Sequence, residues 1–397
     1  MKKVKLGLLG FGTVGQGVAK IIEEKSDILF NYLGAELEIS KILVKDLNKS
    51  REVKVSDELL TLNYEEVVNN PGIDIIIELT GCIEEAYKMI VTSLNNGKHV
   101  VTANKAVVSE YFEEFTALAY EKGLNFLYEA SVGGGIPIIK PLYDVLKLND
   151  IKRVRGIMNG TCNYILSNMT EKGADYKDVL TEAQDLGYAE ADPSSDVDGP
   201  DTLRKLRILS TIAFKQNINE DQILLDGISK LSSLDIKLLS ERNKVIKLIG
   251  DAWVEGETLK AIVQPVAVHK GSYFSSVNQA YNSITVEGDM VGELKFYGSG
   301  AGMLPTANAV LTDVMDIIKC NQKPEIYGTR LNRSIDSESI NGEFYVRYDG
   351  DYDLGDKVVE VLSEDPKVVI TKRISLVELK NAIGDNASIV RLEAEDY

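Results

Sequence analysis

Histidine, cysteine and tryptophan are scarce in this chain. Its 397 residues include two histidines, three cysteines and one tryptophan. The two histidines, His99 and His269, form no cluster, so the sequence predicts no zinc site. The cysteines lie far apart and have no metal-ligand spacing, which favours buried, reduced thiols. Any acid–base chemistry would therefore fall to Lys, Asp, Glu or Tyr.

The sequence also lacks a long apolar run and an excess of positive charge. No stretch of about 18 apolar residues is present, so no membrane-spanning helix is expected. The first ten residues, MKKVKLGLLG, alternate like a strand, and their apolar part is too short for a signal peptide. The net charge of −17 argues against a nucleic-acid partner. We therefore expect a cytoplasmic protein that acts on neither membrane nor nucleic acid.

What the sequence does contain is a regular alternation of strand-like and helical segments over about residues 1–130. Strands are expected at 3–9, 37–44, 74–79, 99–102 and 125–129. Helices are expected at 14–25, 83–95 and 111–122. This alternation predicts the α/β class, with an N-terminal Rossmann-type parallel sheet and crossover helices. The sequence thus predicts a dinucleotide-binding domain over residues 1–130.

The remainder of the chain has a different pattern. Residues 131–299 mix helices and strands, which predicts an α+β domain. The helix after a second glycine-rich turn is assigned to the first domain as residues 300–320. A polar segment at 321–339 is typical of a linker. Residues 341–397 indicate a strand, a helix at 356–362 and further strands, which predicts a small α+β C-terminal module.

A glycine motif ends the first strand. Gly10-x-Gly12-x-x-Gly15 follows that strand and opens an apolar helix. Such glycines make a tight turn and let the backbone approach a pyrophosphate at the helix N-terminus. The same motif also occurs as a structural strand–helix turn. The expected cofactor contacts in this turn are Gly10, Phe11, Gly12, Thr13, Val14 and Gly15.

The end of the second strand distinguishes the two nicotinamide cofactors. An acid there binds the ribose 2′-hydroxyl of NAD, whereas a cation there accepts the 2′-phosphate of NADP. Lys45 comes directly after the strand, followed by Asp46, with Arg51 and Lys54 nearby. Because the lysine comes first we favour NADP, and both NAD and a merely solvated charge cluster stay open.

Three further segments carry residues of interest. Lys105, in VVTANKAV, follows a strand whose carboxyl end should line a ligand crevice. The consecutive glycines of EASVGGGIPIIKPL indicate either a hinge or a cradle of carbonyl oxygens for a cation. The stretch GYAEADPSSDVDGPDTLRK holds five carboxylates followed by Arg204 and Lys205. Its acids face either water or a positively charged group.

Six segments, taken together and in this order, resemble the homoserine dehydrogenase family. They are GFGTVGQGV, TANKAVV, EASVGGGIPII, NGTCNYIL, LGYAEADPSSDVDGPDT and GAGMLPTANAV, within about residues 3–318. The resemblance implies the NADP- or NAD-dependent interconversion of L-aspartate 4-semialdehyde and L-homoserine, in the biosynthesis of threonine, methionine and isoleucine. Two alternatives stay open, namely another two-domain dehydrogenase of a small aldehyde and a non-catalytic nucleotide-binding subunit.

The resemblance implies roles for individual residues. Glu190 and Asp201 would hold the amino and hydroxyl ends of the substrate. Lys205, four residues after Asp201 and so on the same helix face, would be the proton donor and acceptor. Lys105 would be a second catalytic lysine that reaches substrate and nicotinamide. Of the other acids in that stretch, we expect Asp192 to help shape the loop and Asp196 and Asp198 to remain solvated.

Cofactor contacts and an ion site are implied in the same way. The residues that match cofactor contacts of the family are Thr80, Gly187, Gly300 and Gly302. The main-chain oxygens that would bind Na⁺ are those of Glu129, Val132, Gly134 and Ile136, since carbonyl cages suit hard cations.

By analogy with the family we expect a homodimer or higher homo-oligomer, assembled through the domain at 131–299 that would also bind the substrate. The tail at 341–397 resembles a reduced ACT amino-acid sensor. Because it is short for such a module, we expect it to be separable from the chemistry and to give no strong response to threonine.

Overall fold

The computed structural model describes residues 2–319, 332–350, 352, 354–384 and 386–393. Most of the predicted linker at 321–339 lies outside the described residues. Within the described part of the chain, no helix is both long and apolar enough to cross a membrane.

The regular elements are numbered in chain order. The strands are β1 (Lys3–Leu9), β2 (Glu36–Leu43), β3 (Leu60–Thr61), β4 (Ile75–Glu78), β5 (His99–Thr102), β6 (Phe126–Leu127), β7 (Ile151–Ile157), β8 (Leu224–Leu225), β9 (Lys244–Glu255), β10 (Thr258–His269), β11 (Tyr281–Gly288), β12 (Gly292–Ser299), β13 (Ser334–Ile335), β14 (Asn341–Tyr348), β15 (Val358–Glu364), β16 (Lys367–Thr371), β17 (Ile374–Ser375) and β18 (Ser388–Leu392). The helices are α1 (Thr13–Glu24), α2 (Ser26–Leu33), α3 (Glu65–Val68), α4 (Ile83–Asn95), α5 (Lys105–Lys122), α6 (Ile139–Val145), α7 (Gly160–Lys172), α8 (Tyr176–Asp185), α9 (Ser194–Val197), α10 (Pro200–Ala213), α11 (Ser233–Glu241), α12 (Met303–Lys319) and α13 (Leu376–Ile383).

The described residues divide into two compact units. The first unit comprises those of Met1–Lys147, Phe214–Asn217 and Ser299–Leu331. The second comprises those of Leu148–Ala213, Ile218–Gly298 and Asn332–Tyr397. The compact first unit thus runs past the domain boundary that the sequence predicts at residue 130. The predicted C-terminal module belongs to the second unit.

The sheet of the first unit has the strand order β3-β2-β1-β4-β5-β6, with every neighbouring pair parallel. This is the strand order of the doubly wound dinucleotide-binding fold, so the predicted fold class is confirmed. Helices cover both faces of such a sheet, and its central strands are therefore buried on both faces. The strand β4 shows this, because all four of its residues are buried.

The second unit is built on a mixed sheet with the order β12-β11-β7-β9-β10-β18-β14-β16-β15. The antiparallel pair β9 and β10, twelve residues each, forms its centre. Sequence patterning did not indicate β9, because its middle is buried on both faces and the segment KVIKLIGDAWVE shows no alternation. Helix α10 packs on β9, with Thr202 and Leu206 against Gly250.

The C-terminal strands are ordered β18-β14-β16-β15, with neighbours antiparallel. Numbered within the module, this is the order 4-1-3-2, and α13 makes the crossover before the fourth strand. Among the described residues between its first two strands, the regular structure is a short 3₁₀ turn at Gly355–Lys357. The helix predicted at 356–362 is therefore wrong. The segment VVEVLSE is rich in β-branched valine and pairs as β15 with β16.

The same module continues the central sheet of the second unit. Strand β18 pairs in parallel with β10, through Val266 with Arg391 and Ala267 with Leu392. On α11, the buried Asp235 also receives hydrogen bonds from Tyr345 at 2.8 Å and from Arg347 at 2.8 and 3.0 Å. This shared sheet argues against a tail that can be removed without damage.

Candidate active site

The turn between β1 and α1 has the geometry of an anion site. Gly10 has a φ of 110°, and a Cβ there would lie 2.8 Å from the carbonyl oxygen of Leu79. A Cβ on Gly15 would lie 2.6 Å from the carbonyl oxygen of Gly10, whereas the space beside Gly12 is open. Gly12 is also the N-cap of α1, and the first turn carries no acidic side chain. The turn therefore fits a phosphate at the helix N-terminus. The other residues of the turn are Phe11, which is buried, Thr13, which is exposed, and Val14, which is half-buried.

The cationic side chains in the loop after β2 differ in what they contact. The guanidinium of Arg51 donates to the carbonyl oxygens of Asp46 at 2.5 Å and Lys49 at 2.9 Å. Arg51 therefore closes the loop on itself. Lys45 and Lys54 are exposed, and Lys45 lies two residues past the end of β2. Of the predicted cations, Lys45 is the one at the carboxyl end of a strand.

A buried carboxylate that sequence reasoning missed organises the ends of β4 and β5. Glu78 is fully buried, and its Oε1 accepts from both the backbone N and the Oγ1 of Thr80 at 2.6 Å. Its Oε2 accepts from Thr102 Oγ1, also at 2.6 Å. Burial raises the pKa of Glu78 above its ordinary value, and the hydrogen bonds oppose that rise. The signal in the sequence was one acid at the end of the apolar run DIIIEL.

Lys105 opens helix α5 next to this network. The backbone N of Asn104 donates to Thr102 Oγ1 at 3.0 Å, and the Asn104 side chain caps the helix by accepting from Val107 N at 3.3 Å. Lys105 is the first helical residue and is half-buried. Hydrogen bonds on either side of Lys105 in the chain thus fix its backbone, which restricts where its side chain can reach.

The predicted cation segment contains a second buried carboxylate. The Oε1 of Glu129 accepts from the backbone N of Ile138 at 2.6 Å and of Ile139 at 2.7 Å, and its Oε2 accepts from Lys140 N at 2.8 Å. The backbone N of Glu129 donates to Asp313 Oδ2 at 2.9 Å. Burial raises the pKa of both carboxyls, and for Asp313 the charge of Glu129 adds to that rise. Glu129 therefore fixes the start of α6.

The two glycine-rich turns of the first unit pack against each other. The backbone N of Gly135 donates to the carbonyl oxygen of Ser299 at 3.1 Å. Gly134 has a φ of 58°, and a Cβ there would collide with the carbonyl of Gly300. Gly302 has a φ of 122° directly before α12. The glycines permit this close backbone approach, which is a structural reason for them beside the predicted ion and cofactor contacts. The remaining residues of the predicted ion site, Val132 and Ile136, are buried.

In the second unit, the predicted acid–base pair is formed on one face of α10. Lys205 Nζ donates to Asp201 Oδ2 at 2.7 Å and to the carbonyl oxygen of Met158 at 2.8 Å. Asp201 is 4% exposed and Lys205 is 8% exposed. An ammonium has three N–H donors, so these two contacts leave one. The lysine is held in a fixed position within a largely dry environment.

Two asparagines that sequence reasoning missed hold this pair in place. Asn159 Nδ2 donates to Asp201 Oδ2 at 2.9 Å, and its Oδ1 caps α7 by accepting from Cys162 N at 2.7 Å. Asn282, buried at the start of β11, donates to the same Met158 carbonyl oxygen at 2.9 Å. Asn159 opens the segment NGTCNYIL but was given no role of its own, whereas Asn282 lies far from α7 in the sequence and belongs to no motif.

The other acids of the stretch before α10 have different surroundings. Asp196 Oδ1 accepts from Asn159 Nδ2 at 2.7 Å and Asp196 is half-buried, so the expectation that it is solvated is wrong. The reason is that the short helix α9 turns it towards Asn159. Asp198 is exposed and accepts from Ser229 Oγ at 2.6 Å.

Gly187 and Glu190 lie in the loop between α8 and α9. Gly187 has a φ of 76°, and its N donates to the carbonyl oxygen of Gln184 at 3.0 Å, which ends α8. The Gln184 side chain donates to the carbonyl oxygen of Glu190, also at 3.0 Å. The Glu190 carboxylate is exposed and has no hydrogen bond or ion pair within the described residues. The structure does not join it to the α10 pair.

Comparison with known proteins gives this arrangement a family. A model of homoserine dehydrogenase matches residues 137–315, and a model of the NAD-binding domain of homoserine dehydrogenase matches residues 10–129. The chain is 42% identical to the homoserine dehydrogenase of Bacillus subtilis over 319 residues, which are 80% of this chain and 74% of that one. The chain belongs to the homoserine dehydrogenase family. It is accordingly an oxidoreductase that uses a nicotinamide cofactor.

Solved homoserine dehydrogenase structures share the fold. The crystal structure of a homoserine dehydrogenase from Thiobacillus denitrificans has a TM-score of 0.88 and 34% identity, and the match covers 99% of both chains. A hyperthermophilic archaeal homoserine dehydrogenase, solved in complex with NADPH, has a TM-score of 0.68 and 27% identity over 81% of this chain and all of the other. The fold likeness therefore extends to the C-terminal strands of this chain.

Proposed function

We propose that the first unit binds NADP and that the α10 pair of the second unit moves the proton in the interconversion of L-aspartate 4-semialdehyde and L-homoserine. The observation that carries this proposal is the buried Asp201–Lys205 pair, with Nζ on Oδ2 at 2.7 Å. Burying two charges costs free energy that their attraction repays only in part, so such a pair contributes little to stability. Buried ionisable pairs are instead common at functional sites.

The chemistry assigns the proton to Lys205. A nicotinamide, when bound, supplies the hydride to the aldehyde carbon or accepts it from the alcohol carbon. In the reducing direction Lys205 Nζ–H gives its proton to the oxygen of that carbon, and the resulting neutral amine takes a proton from water, which the negative charge of Asp201 favours. In the oxidising direction the neutral lysine takes the hydroxyl proton. The Met158 carbonyl oxygen and the Asn159 side chain hold the two residues in position through hydrogen bonds.

The remaining substrate groups require one anion and one cation. The ammonium of the substrate needs a carboxylate, and the exposed, unpaired side chain of Glu190 is suited to that role. The resemblance gives Lys105 contact with substrate and nicotinamide, and its capped position at the start of α5 supports this. Asp201, by the same resemblance, contacts the hydroxyl end.

The choice of NADP rests on Lys45. Its position past β2 suits a 2′-phosphate, and Arg51 is engaged by its own loop. The NADPH complex of the archaeal relative supports the same choice. Around the nicotinamide and pyrophosphate, the proposed contacts are those of the Gly10–Gly15 turn, Thr80, Gly187, Gly300 and Gly302.

Three further properties are proposed on the basis of the same resemblance. A Na⁺ ion would be bound by the main-chain oxygens of Glu129, Val132, Gly134 and Ile136, and the closely packed turns around Gly134 support a rigid cradle there. The protein would be a homodimer or higher homo-oligomer in the cytoplasm. Comparing the activity in Na⁺ and in K⁺ tests the ion site. Measuring the mass in solution tests the oligomeric state.

The decisive experiment is Lys205→Met, assayed as NADP⁺ reduction with L-homoserine. We expect kcat to fall by at least about a hundredfold, the low end for a lost general acid, while NADP affinity changes little. Lys105→Met should show a loss of similar size. The matched control is Lys172→Met, which removes an exposed lysine from its ion pair with Glu182. Near-normal turnover in Lys205→Met, with the thermal transition preserved, would refute the assignment.

A further inference from the structure

One face of the central sheet of the second unit carries a row of paired charged and aromatic residues. In register across β11, β7, β9 and β10 lie Glu287, Arg153, Trp253 and Lys260. Successive side chains on a strand point to opposite faces, and Gly250 of β9 faces helix α10. Trp253, an odd number of residues away, therefore points to the other face. This row is separate from the Asp201–Lys205 pair.

A cavity of about 450 Å³ lies over this row, and its lining is cationic. Five of its ten lining residues are basic and two are acidic, in a chain whose net charge is −17. The basic ones are Lys152, Arg153, Lys260, Arg373 and Arg391. A local reversal of sign in such an acidic protein marks a surface that attracts anions.

Two of these cations are already paired. Arg153 binds Asp251 with both branches of its guanidinium, Nε to Oδ1 at 2.8 Å and Nη2 to Oδ2 at 2.5 Å. Lys260 forms an ion pair with Glu255. The side chains of Lys152, Arg373 and Arg391 form neither an ion pair nor a hydrogen bond with any described residue. Three cations of the cavity are therefore available to a ligand.

Arg391 is the most constrained of the three. Its guanidinium is half-buried on β18, and its carbon Cζ lies 5.5 Å from the centroid of the Trp253 ring. The Arg153 Cζ lies 5.9 Å from the same centroid. Burial lowers the pKa of Arg391, the charge of Asp251 opposes this, and the neighbouring guanidiniums of Arg153, Arg155 and Arg373 lower it further. A second anion in the cavity would relieve this repulsion.

We propose that this cavity binds a small molecule through carboxylate or phosphate oxygens held by Arg391, Arg373 and Lys152, with its apolar part against Trp253. Guanidinium groups match the oxygens of both anions with two parallel hydrogen bonds, and the indole supplies a flat apolar wall. The site does not depend on the assignment of the catalytic residues.

Trp253 makes the proposal directly measurable, because it is the single tryptophan of the chain. Its fluorescence in the full-length protein is quenched with iodide, an anion, and in parallel with neutral acrylamide. We expect the cationic cavity to make iodide an efficient quencher. Inorganic phosphate and citrate are then titrated separately, each against sodium chloride of equal ionic strength. The two arms distinguish a phosphate ligand from a carboxylate ligand.

The expected result is saturable protection from iodide by at least one of the two anions, beyond the effect of chloride. Arg373→Gln, at an exposed position, and Arg391→Gln should each raise the half-saturating concentration by at least about tenfold, as for a lost charged hydrogen bond. The control Lys88→Gln, which removes an exposed charge from α4, should leave it unchanged.

Two results would overturn the proposal. Protection that follows ionic strength alone, without saturation, would show only a diffuse field around the cations. A Trp253 that neither iodide nor acrylamide reaches would show that the cavity is covered by another part of the protein or by a second copy. In either case the Arg373→Gln variant would behave like the control.

Discussion

The first unit offers its proposed cofactor site mainly through the backbone, whereas the second unit offers its proposed proton site through buried side chains. In the first, the glycine turn and the N-terminus of α1 supply the recognition, and the one predicted side-chain charge, Lys45, is exposed. In the second, Asp201, Lys205 and Asn159 are all less than 10% exposed, and Lys205 and Asn159 both donate to Asp201. The two designs should respond differently to substitution.

The difference also concerns how each site is supported. Most of the first unit's sheet and its strand-end loops come from residues before 130, and these are close in sequence. The proton site depends on β7, β9 and β11, which belong to the sheet that β18 and β14 extend. We therefore expect the second unit to be the more sensitive to changes far from the chemistry.

Removing the C-terminal strands should have the largest effect. A chain ending at Ile335 would leave β10 without β18 and would break the ion pair between Arg155 and Glu393. We expect kcat to fall by more than about a hundredfold, or folding to fail, because an apolar strand edge becomes exposed. Circular dichroism and the homoserine assay test this. Turnover within about threefold of the full chain would restore the idea of a separable tail.

Asp201→Asn should come next in size. The amide keeps the shape of the carboxylate but removes the charge that stabilises the Lys205 ammonium, so kcat should fall by about a hundredfold. NADP affinity should stay within about twofold, because the first unit is untouched. Asp198→Asn, at an exposed carboxylate, is the matched control. Equal losses in both variants would mean that the stretch before α10 acts through its overall charge.

Lys45→Ala should produce a smaller change, confined to the cofactor. Loss of a charged hydrogen bond to the 2′-phosphate should weaken NADP binding by about 1.5–3 kcal/mol and leave NAD binding almost unchanged. Titration of both cofactors measures this, with Lys54→Ala as the comparison. A parallel loss for NAD would show that Lys45 supports the loop and does not read the phosphate.

Asp313→Asn should have the smallest effect, seen only in the pH dependence of stability. The pKa of Asp313 is raised above its ordinary value of 3.8, so its favourable contribution is complete below about pH 3.8 and is lost as pH rises through the raised pKa. From pH 5 to pH 8 the melting temperature of the wild type should therefore fall more than that of the variant. Each kcal/mol of lost unfolding free energy lowers the melting temperature by about 2–4 °C. Identical pH profiles would show that Asp313 does not titrate in this range.

The local geometry of the glycine turn is easier to predict from the sequence than the contacts around Asp201 and Lys205. Gly10, Gly12 and Gly15 are readable because a tight turn next to a strand is a local property. Asp201 and Lys205 were found through their helical spacing and a family resemblance. Asn282 and Glu78 were not, because their partners are set by the packing of segments that patterning cannot bring together. The helix expected at 356–362 failed because the valine-rich segment VVEVLSE favours a strand and pairs with β16.

The two hydrogen bonds of Lys205 Nζ also determine what a substrate meets there. A lysine side chain loses up to about 2 kcal/mol of rotational freedom when it becomes ordered. Asp201 and the Met158 carbonyl impose that loss when the protein folds, before any substrate arrives. The remaining N–H therefore has a fixed direction. An alcohol or aldehyde oxygen must approach along that line, so the lysine selects the orientation of the substrate as well as exchanging its proton.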